Sequence, residues 1–123
     1  MRKSEFAVSR CKTISTVQRM LGGKWKLEIL YYIGVKDVRR FGALRRCIME
    51  ITESSLTKQL RELEEDGFLS RKDFGEIPPH VEYALTELGE SFLPVLDFMR
   101  VWGEKNLPAE QTDAQRHPFQ KEG

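Results

Sequence analysis

The sequence predicts a mainly α-helical domain that carries one small β-hairpin. Two observations predict it. Apolar residues recur at steps of three and four through most of the chain. Only one stretch, 68–85, shows strand-like alternation, on either side of a proline-rich turn. The length of 123 residues suits one domain. An apolar content of 40% allows a real core, and 32% charged residues fit a soluble protein. No apolar run approaches the ~18–20 residues of a membrane span.

The elements come in this order. Residues 1–12 are polar and read as a flexible arm. Ile14, Val17 and Leu21 lie on one helical face, and Gly22-Gly23 ends that helix. Lys24 to Ile33 is apolar on nearly every side with few β-branched residues, which predicts a buried helix capped by Gly34. Val35 to Arg40 is a polar connection with room for a short strand. Phe41, Leu44 and Ile48 mark a third helix. Thr52 is placed to cap a fourth, whose stripe is Leu56, Leu60 and Leu63 and whose end is Gly67. Phe68–Phe74 and His80–Leu85 read as hairpin strands. Thr86 reads as the cap of a last helix with the stripe Leu88, Phe92, Val95, Met99 and Trp102. Pro94 predicts a kink there, or a restart with proline in the new first turn. From 107 to 123 the chain is polar and expected to be disordered. The domain proper is therefore expected over 13–106.

Net charge is only +1, but residues 1–49 carry 12 Lys+Arg against 3 Asp+Glu, while 50–123 carry 8 against 16. A split of this kind suggests a basic surface for a polyanion. There are two cysteines, Cys11 and Cys47, too few for a disulfide scaffold. With no signal-like apolar stretch near the start, a reducing cytoplasm is the expected location. No metal-ligand spacing, phosphate loop or nucleophile elbow is present, so no cofactor, no metal and no catalytic residue is expected.

Two short helices in tight succession, followed by a hairpin, are the layout of a winged helix-turn-helix. With the leucine stripe inward, the fourth helix turns Ser54, Lys58 and Arg61 outward, flanked by Ser55, Thr57 and Gln59. Hydroxyls, amides and cations of this kind bond base edges and phosphates. Its acids, Glu62, Glu64, Glu65 and Asp66, crowd at the far end, whereas the helix dipole favours acids at the N-terminus. An ordinary solvated face with Lys58–Glu62 and Arg61–Glu65 pairs is the alternative. Arg39, Arg40, Arg45 and Arg46 around the third helix, and Arg71, Lys72 and His80 on the wing, complete the expected DNA contacts.

LGGKWKLEIL at 21–30, RRFGALRRCI at 39–48, LTKQLRELEEDGFLSRKDF at 56–74, PPHVEYALTELGESFLPVL at 78–96 and Trp102-Gly103 together resemble the HxlR family of bacterial transcription regulators. The resemblance runs in register from Cys11 to Gly103. It implies a MarR-like winged helix, a homodimer formed through the N- and C-terminal elements, and a palindromic double-stranded DNA operator. The last helix is apolar beyond one stripe, which itself suggests a subunit contact. Ile14, Val17, Leu21, Phe92, Val95, Leu96, Met99 and Trp102 are the expected interface. Cys11 matches a cysteine that some family members use to sense oxidants or electrophiles, with Lys12 where proline is frequent. Its basic neighbours Arg10 and Lys12 favour thiol reactivity, so Cys11 is a redox-sensing candidate. Cys47, beside Leu44 and Ile48, reads as an inert core residue.

Two other functions compete with DNA-binding regulation. One is a thiol-based redox enzyme using Cys11. The other is a winged helix that serves only protein–protein interaction. The sequence does not reveal an effector.

Overall fold

The computed structural model describes residues 11–112. The arm over 1–10, with Arg10, and the tail over 113–123, with His117, lie outside the described residues. Two compact units divide at Glu90/Ser91. The first holds α1 (Lys12–Leu21), α2 (Lys26–Gly34), α3 (Phe41–Cys47), α4 (Glu53–Glu65), β1 (Leu69–Asp73), β2 (Val81–Leu85) and the start of α5 (Glu87–Ser91). The second holds α6 (Leu93–Asn106) and a 3-10 turn over Ala109–Gln111. Among the described residues no helix is long and apolar enough to cross a membrane.

The first unit is built around α2, whose Ile29, Leu30 and Ile33 are buried together with Leu44, Ile48 and Ile51 around α3. Leu56, Leu60 and Leu63 of α4 are fully buried, as the stripe requires. Each such side chain contributes about 1.5–3 kcal/mol of burial free energy. Leu21, Phe68 and Leu69 complete this core.

Local chemistry fixes where α4 begins and ends. Thr52 Oγ1 accepts a hydrogen bond from Ser55 N at 3.1 Å, the expected N-cap. At the other end Phe68 N donates to Leu63 O (2.9 Å) and Gly67 N to Glu64 O (3.0 Å), a Schellman closure. It requires a left-handed residue, and Gly67 supplies φ +88°. The chain then runs straight into the hairpin, which pairs antiparallel from Leu69↔Leu85 to Asp73↔Val81.

Thr86 joins the hairpin to α5. Its hydroxyl donates to Gly67 O and accepts from Gly89 N at 3.1 Å. Gly89 is buried because its Cα faces the Phe68 carbonyl oxygen; a Cβ there would collide with it. α5 can therefore lie against the start of β1.

The course of the chain differs from the sequence expectation at three places, and at Pro94 it takes one of the two expected forms. α2 does not stop at a glycine cap: Val35 N still bonds Tyr31 O at 2.8 Å, and the left-handed turn falls on Asp37, at φ +58°. The strand expected within 35–40 is reduced to one bridge, Arg40↔Glu82, with Tyr83 N donating to Arg39 O at 2.9 Å. Arg40 is extended immediately before α3 begins. Pro94 produces the restart: α5 ends at Ser91 and α6 opens with proline in its first turn. Where disorder was expected from 107, Pro108 leads into the 3-10 turn.

Candidate nucleic-acid interface

The burial of its leucines sets the rotation of α4. Ser54, Thr57, Lys58 and Arg61 are exposed, and Ser55 and Gln59 are half-buried beside them. Thr57 Oγ1 donates to Glu53 O at 2.9 Å, and Ser55 N is taken by the cap. Among the described residues neither Lys58 nor Arg61 closes an ion pair within 4.0 Å.

The acid that the solvated-face alternative assigned to Lys58 is engaged elsewhere. Glu62 Oε1 accepts from Lys26 Nζ of α2 at 2.6 Å, with side chains 34% and 9% exposed respectively. The hydrogen bond from the Lys26 ammonium holds the Glu62 carboxyl below the usual glutamate range; the fields of Lys58 and Arg61 lower it less. Sequence reasoning missed this pair. The only signal was a lysine at position 26 inside a helix that is otherwise apolar on nearly every side. The remaining acids of α4, Glu64 and Glu65, stay exposed at its C-terminal end, and Glu53 lies in its first turn where the dipole favours it.

The four arginines of the third-helix region separate into two pairs. Arg40 is the exposed N-cap residue of α3, and Arg39 Nε donates to Asp37 Oδ1 at 2.8 Å. Arg45 and Arg46 fall in the last turn of α3. They border an open depression shared with Phe41, Gly42, Met49 and Glu53, at the entrance of α4. That depression is where the helix N-terminus and two guanidinium groups converge.

On the wing, Arg71 and Lys72 are exposed, and their adjacent places in β1 put them on opposite faces of the hairpin. Lys72 Nζ sits 4.7 Å over the Phe74 ring. His80, expected among the wing's DNA contacts, has a side chain 19% exposed, and both ring nitrogens lie against carboxylates.

The expected interface residues also divide. Ile14 and Val17 on α1, and Val95, Met99 and Trp102 on α6, are exposed. Phe92 is half-buried, and Leu21 and Leu96 are buried, so the last two face inward. Phe98, not singled out by the stripe, is 71% exposed and adds to the α6 surface. Cys11 is exposed at the N-cap of α1, where its Sγ accepts from Ile14 N at 3.4 Å. Cys47 is half-buried, not a core residue: Leu44 and Ile48 fill the inward positions of α3, and Cys47 borders an open cleft with Lys24, Trp25 and Met49.

Two short helices leading into an adjoining hairpin, with an outer face on the second whose cations close no ion pair among the described residues, define a winged helix-turn-helix. The HxlR-like helix-turn-helix family model matches residues 20–111, and the chain belongs to that family. It is 36% identical to the uncharacterized HTH-type transcriptional regulator YtcD of Bacillus subtilis, over 87% of this chain and 81% of that protein. Among solved structures it is similar to the redox regulator HypR in its oxidised form, with TM-score 0.71, 41% identity, and coverage of 80% of this chain and 99% of that one. It is also similar to the reduced form of the transcriptional regulator YodB from B. subtilis, with TM-score 0.68, 26% identity, and coverage of 82% and 98%. The chain is a transcriptional regulator of the HxlR type. Its relatives and its fold are those of regulators.

The Lys26–Glu62 pair carries a pH signature. Because the folded Glu62 carboxyl is lowered, its stabilisation is complete above the unfolded glutamate value and is lost as pH falls through the folded one, below about 4.5. Urea unfolding at neutral pH and at about pH 3 should therefore show a larger acid loss for wild type than for Lys26→Met or Glu62→Gln. The same loss in all three proteins would contradict the assignment.

Proposed function

We propose that the protein is a cytoplasmic homodimer that binds palindromic double-stranded DNA in a sequence-specific manner and acts as a repressor. The N-terminal half of α4 enters the major groove, with Ser54, Ser55, Thr57, Lys58, Gln59 and Arg61 facing bases and phosphates. Arg39, Arg40, Arg45 and Arg46 meet the backbone, as do Arg71 and Lys72 of the wing. The observation that carries this reading is that, among the described residues, Lys58 and Arg61 close no ion pair while Glu62 is drawn to Lys26. A face built only for solubility would use Glu62 to pair Lys58 across one turn.

The DNA-binding and dimerisation domain spans 13–106. The second subunit is assigned to the exposed apolar residues of the terminal helices, Ile14 and Val17 on α1 and Val95, Phe98, Met99 and Trp102 on α6. α6 keeps an ordinary polar side, where Arg100 bonds Asp97 at 3.1 Å and Glu104 at 3.2 Å. Its apolar side therefore stands out as a surface for a partner. The redox-named relatives support Cys11, exposed and at a helix N-terminus, as the responsive thiol.

Fluorescence anisotropy on a duplex from the intergenic region beside the gene tests the readout. Lys58→Ala and Arg61→Ala should each weaken binding by about 1–3 kcal/mol with the fold intact, and should flatten the salt dependence. Unchanged binding by the double variant would remove α4 from this role. Light scattering tests the assembly: wild type should be a dimer and Trp102→Glu a monomer or unfolded. A monomeric wild type at about micromolar concentration would contradict the dimer.

A further inference from the structure

One imidazole–carboxylate cluster in the first unit is not used by the DNA-binding reading. His80 closes the loop between β1 and β2 with both ring nitrogens on carboxylates. Nδ1 lies 3.1 Å from Glu76 Oε1, and Nε2 lies 2.8 Å from Glu82 Oε2. The imidazole stacks on Phe74, with centroids 4.2 Å apart and planes at 16°. Lys72, directly across the ladder from Glu82, sets its ammonium 4.7 Å over that same Phe74 ring. On its other side the backbone of Glu82 pairs with that of Arg40. Asp73 closes the group by accepting from Gly75 N at 2.9 Å.

A carboxylate only accepts hydrogen bonds, and a neutral imidazole has one N–H to give. Both contacts can be hydrogen bonds only when His80 is the imidazolium. We infer that protonated His80 is a positioning residue that locks the wing loop to β2 and so presents Lys72 to DNA, which makes DNA affinity fall as pH rises.

The inference rests on the wing's proposed role at DNA. In the protonated state the imidazolium offsets one of the two carboxylates it touches, Glu76 and Glu82. Loss of the proton leaves both without that compensation, next to a polyanion. It also turns a nitrogen lone pair towards one carboxylate. Glu76 makes the longer contact and is the more exposed partner, 58% against 29%, so it is the one released. The loop that carries Glu76 continues into Ile77, 98% exposed, which offers no apolar anchor of its own. Arg71 lies on the opposite face of the hairpin, so its charge does not substitute. Phosphates favour the imidazolium, and by linkage DNA binding takes up a proton at His80.

The experiment measures binding to the intergenic duplex at constant ionic strength between about pH 5.5 and about pH 8, the range over which an imidazole changes charge. Amide hydrogen exchange of residues 75–77 in the free protein, corrected for intrinsic rates, is followed over the same range. Wild type should lose about tenfold in affinity and lose loop protection as pH rises. His80→Arg, permanently charged and able to reach both carboxylates, should stay tight and protected throughout. His80→Gln should stay weak and unprotected throughout. His117→Gln, which alters the other histidine, should follow wild type. The same pH profile in wild type and His80→Gln, with both binding, overturns the inference, and so does a profile lost in His117→Gln. If no protein binds the duplex at any pH, the DNA-binding reading has failed. Loop exchange then decides the lock alone: pH-dependent protection that His80→Gln abolishes supports it, and pH-independent protection in wild type overturns it.

Discussion

The burial of Leu56, Leu60 and Leu63 decides which way α4 can face, and most of the candidate site depends on that one constraint. Three fully buried leucines at steps of four and three leave a single permitted rotation. Turning the helix by one residue position, about 100°, would drive Thr57 or Arg61 into a core with no partner for them and expose leucine in exchange. The same burial seats α4 beside α2, where Lys26 can reach Glu62. Hydrophobic packing thus selects the exposed set, and an ion pair then edits its charge. Among the described residues Lys58 and Arg61 close no ion pair, while Glu62, the helix-spaced partner of Lys58, is held by Lys26.

The Lys26–Glu62 pair matters more for charge placement than for net stability. A part-buried pair returns little beyond what its desolvation costs. Its consequence is positional. One carboxylate is taken off the face where a phosphate backbone would repel it, and one ammonium is hidden among apolar side chains. The remaining α4 acids at its far end then mark the limit of the basic surface. Arg45 and Arg46 extend that surface towards the entrance of α4, and Arg40 extends it along the free edge of β2.

Much of this was legible in the sequence because it follows from local chemistry. The leucine stripe, the Thr52 cap, the Gly67 closure and the Pro94 restart each depend on residues within a turn or two of one another. What escaped the sequence depends on how the chain is placed in space. Lys26 and Glu62 are 36 positions apart, and nothing in either segment announces the other. His80 looked like a wing cation, but the course of the loop brings Glu76 back to it while pairing holds Glu82 beside it. Cys47 looked like core because it is small and lies next to Ile48, yet Leu44 and Ile48 already fill the inward side of so short a helix. Leu21 and Leu96 share a helical face with exposed neighbours, and only three-dimensional burial separates them from it.

The central claim is that the N-terminal half of α4, with its charge set by the leucine stripe and by Lys26, is the surface that meets DNA. Backbone amide NMR during titration with the intergenic duplex tests it most directly. The account predicts the largest shifts at Ser54, Thr57, Lys58 and Arg61, smaller ones at Arg45, Arg46 and Lys72, and little change at Glu64 and Glu65. Shifts centred on Glu64–Asp66, or saturable DNA binding that leaves α4 unperturbed, would contradict it.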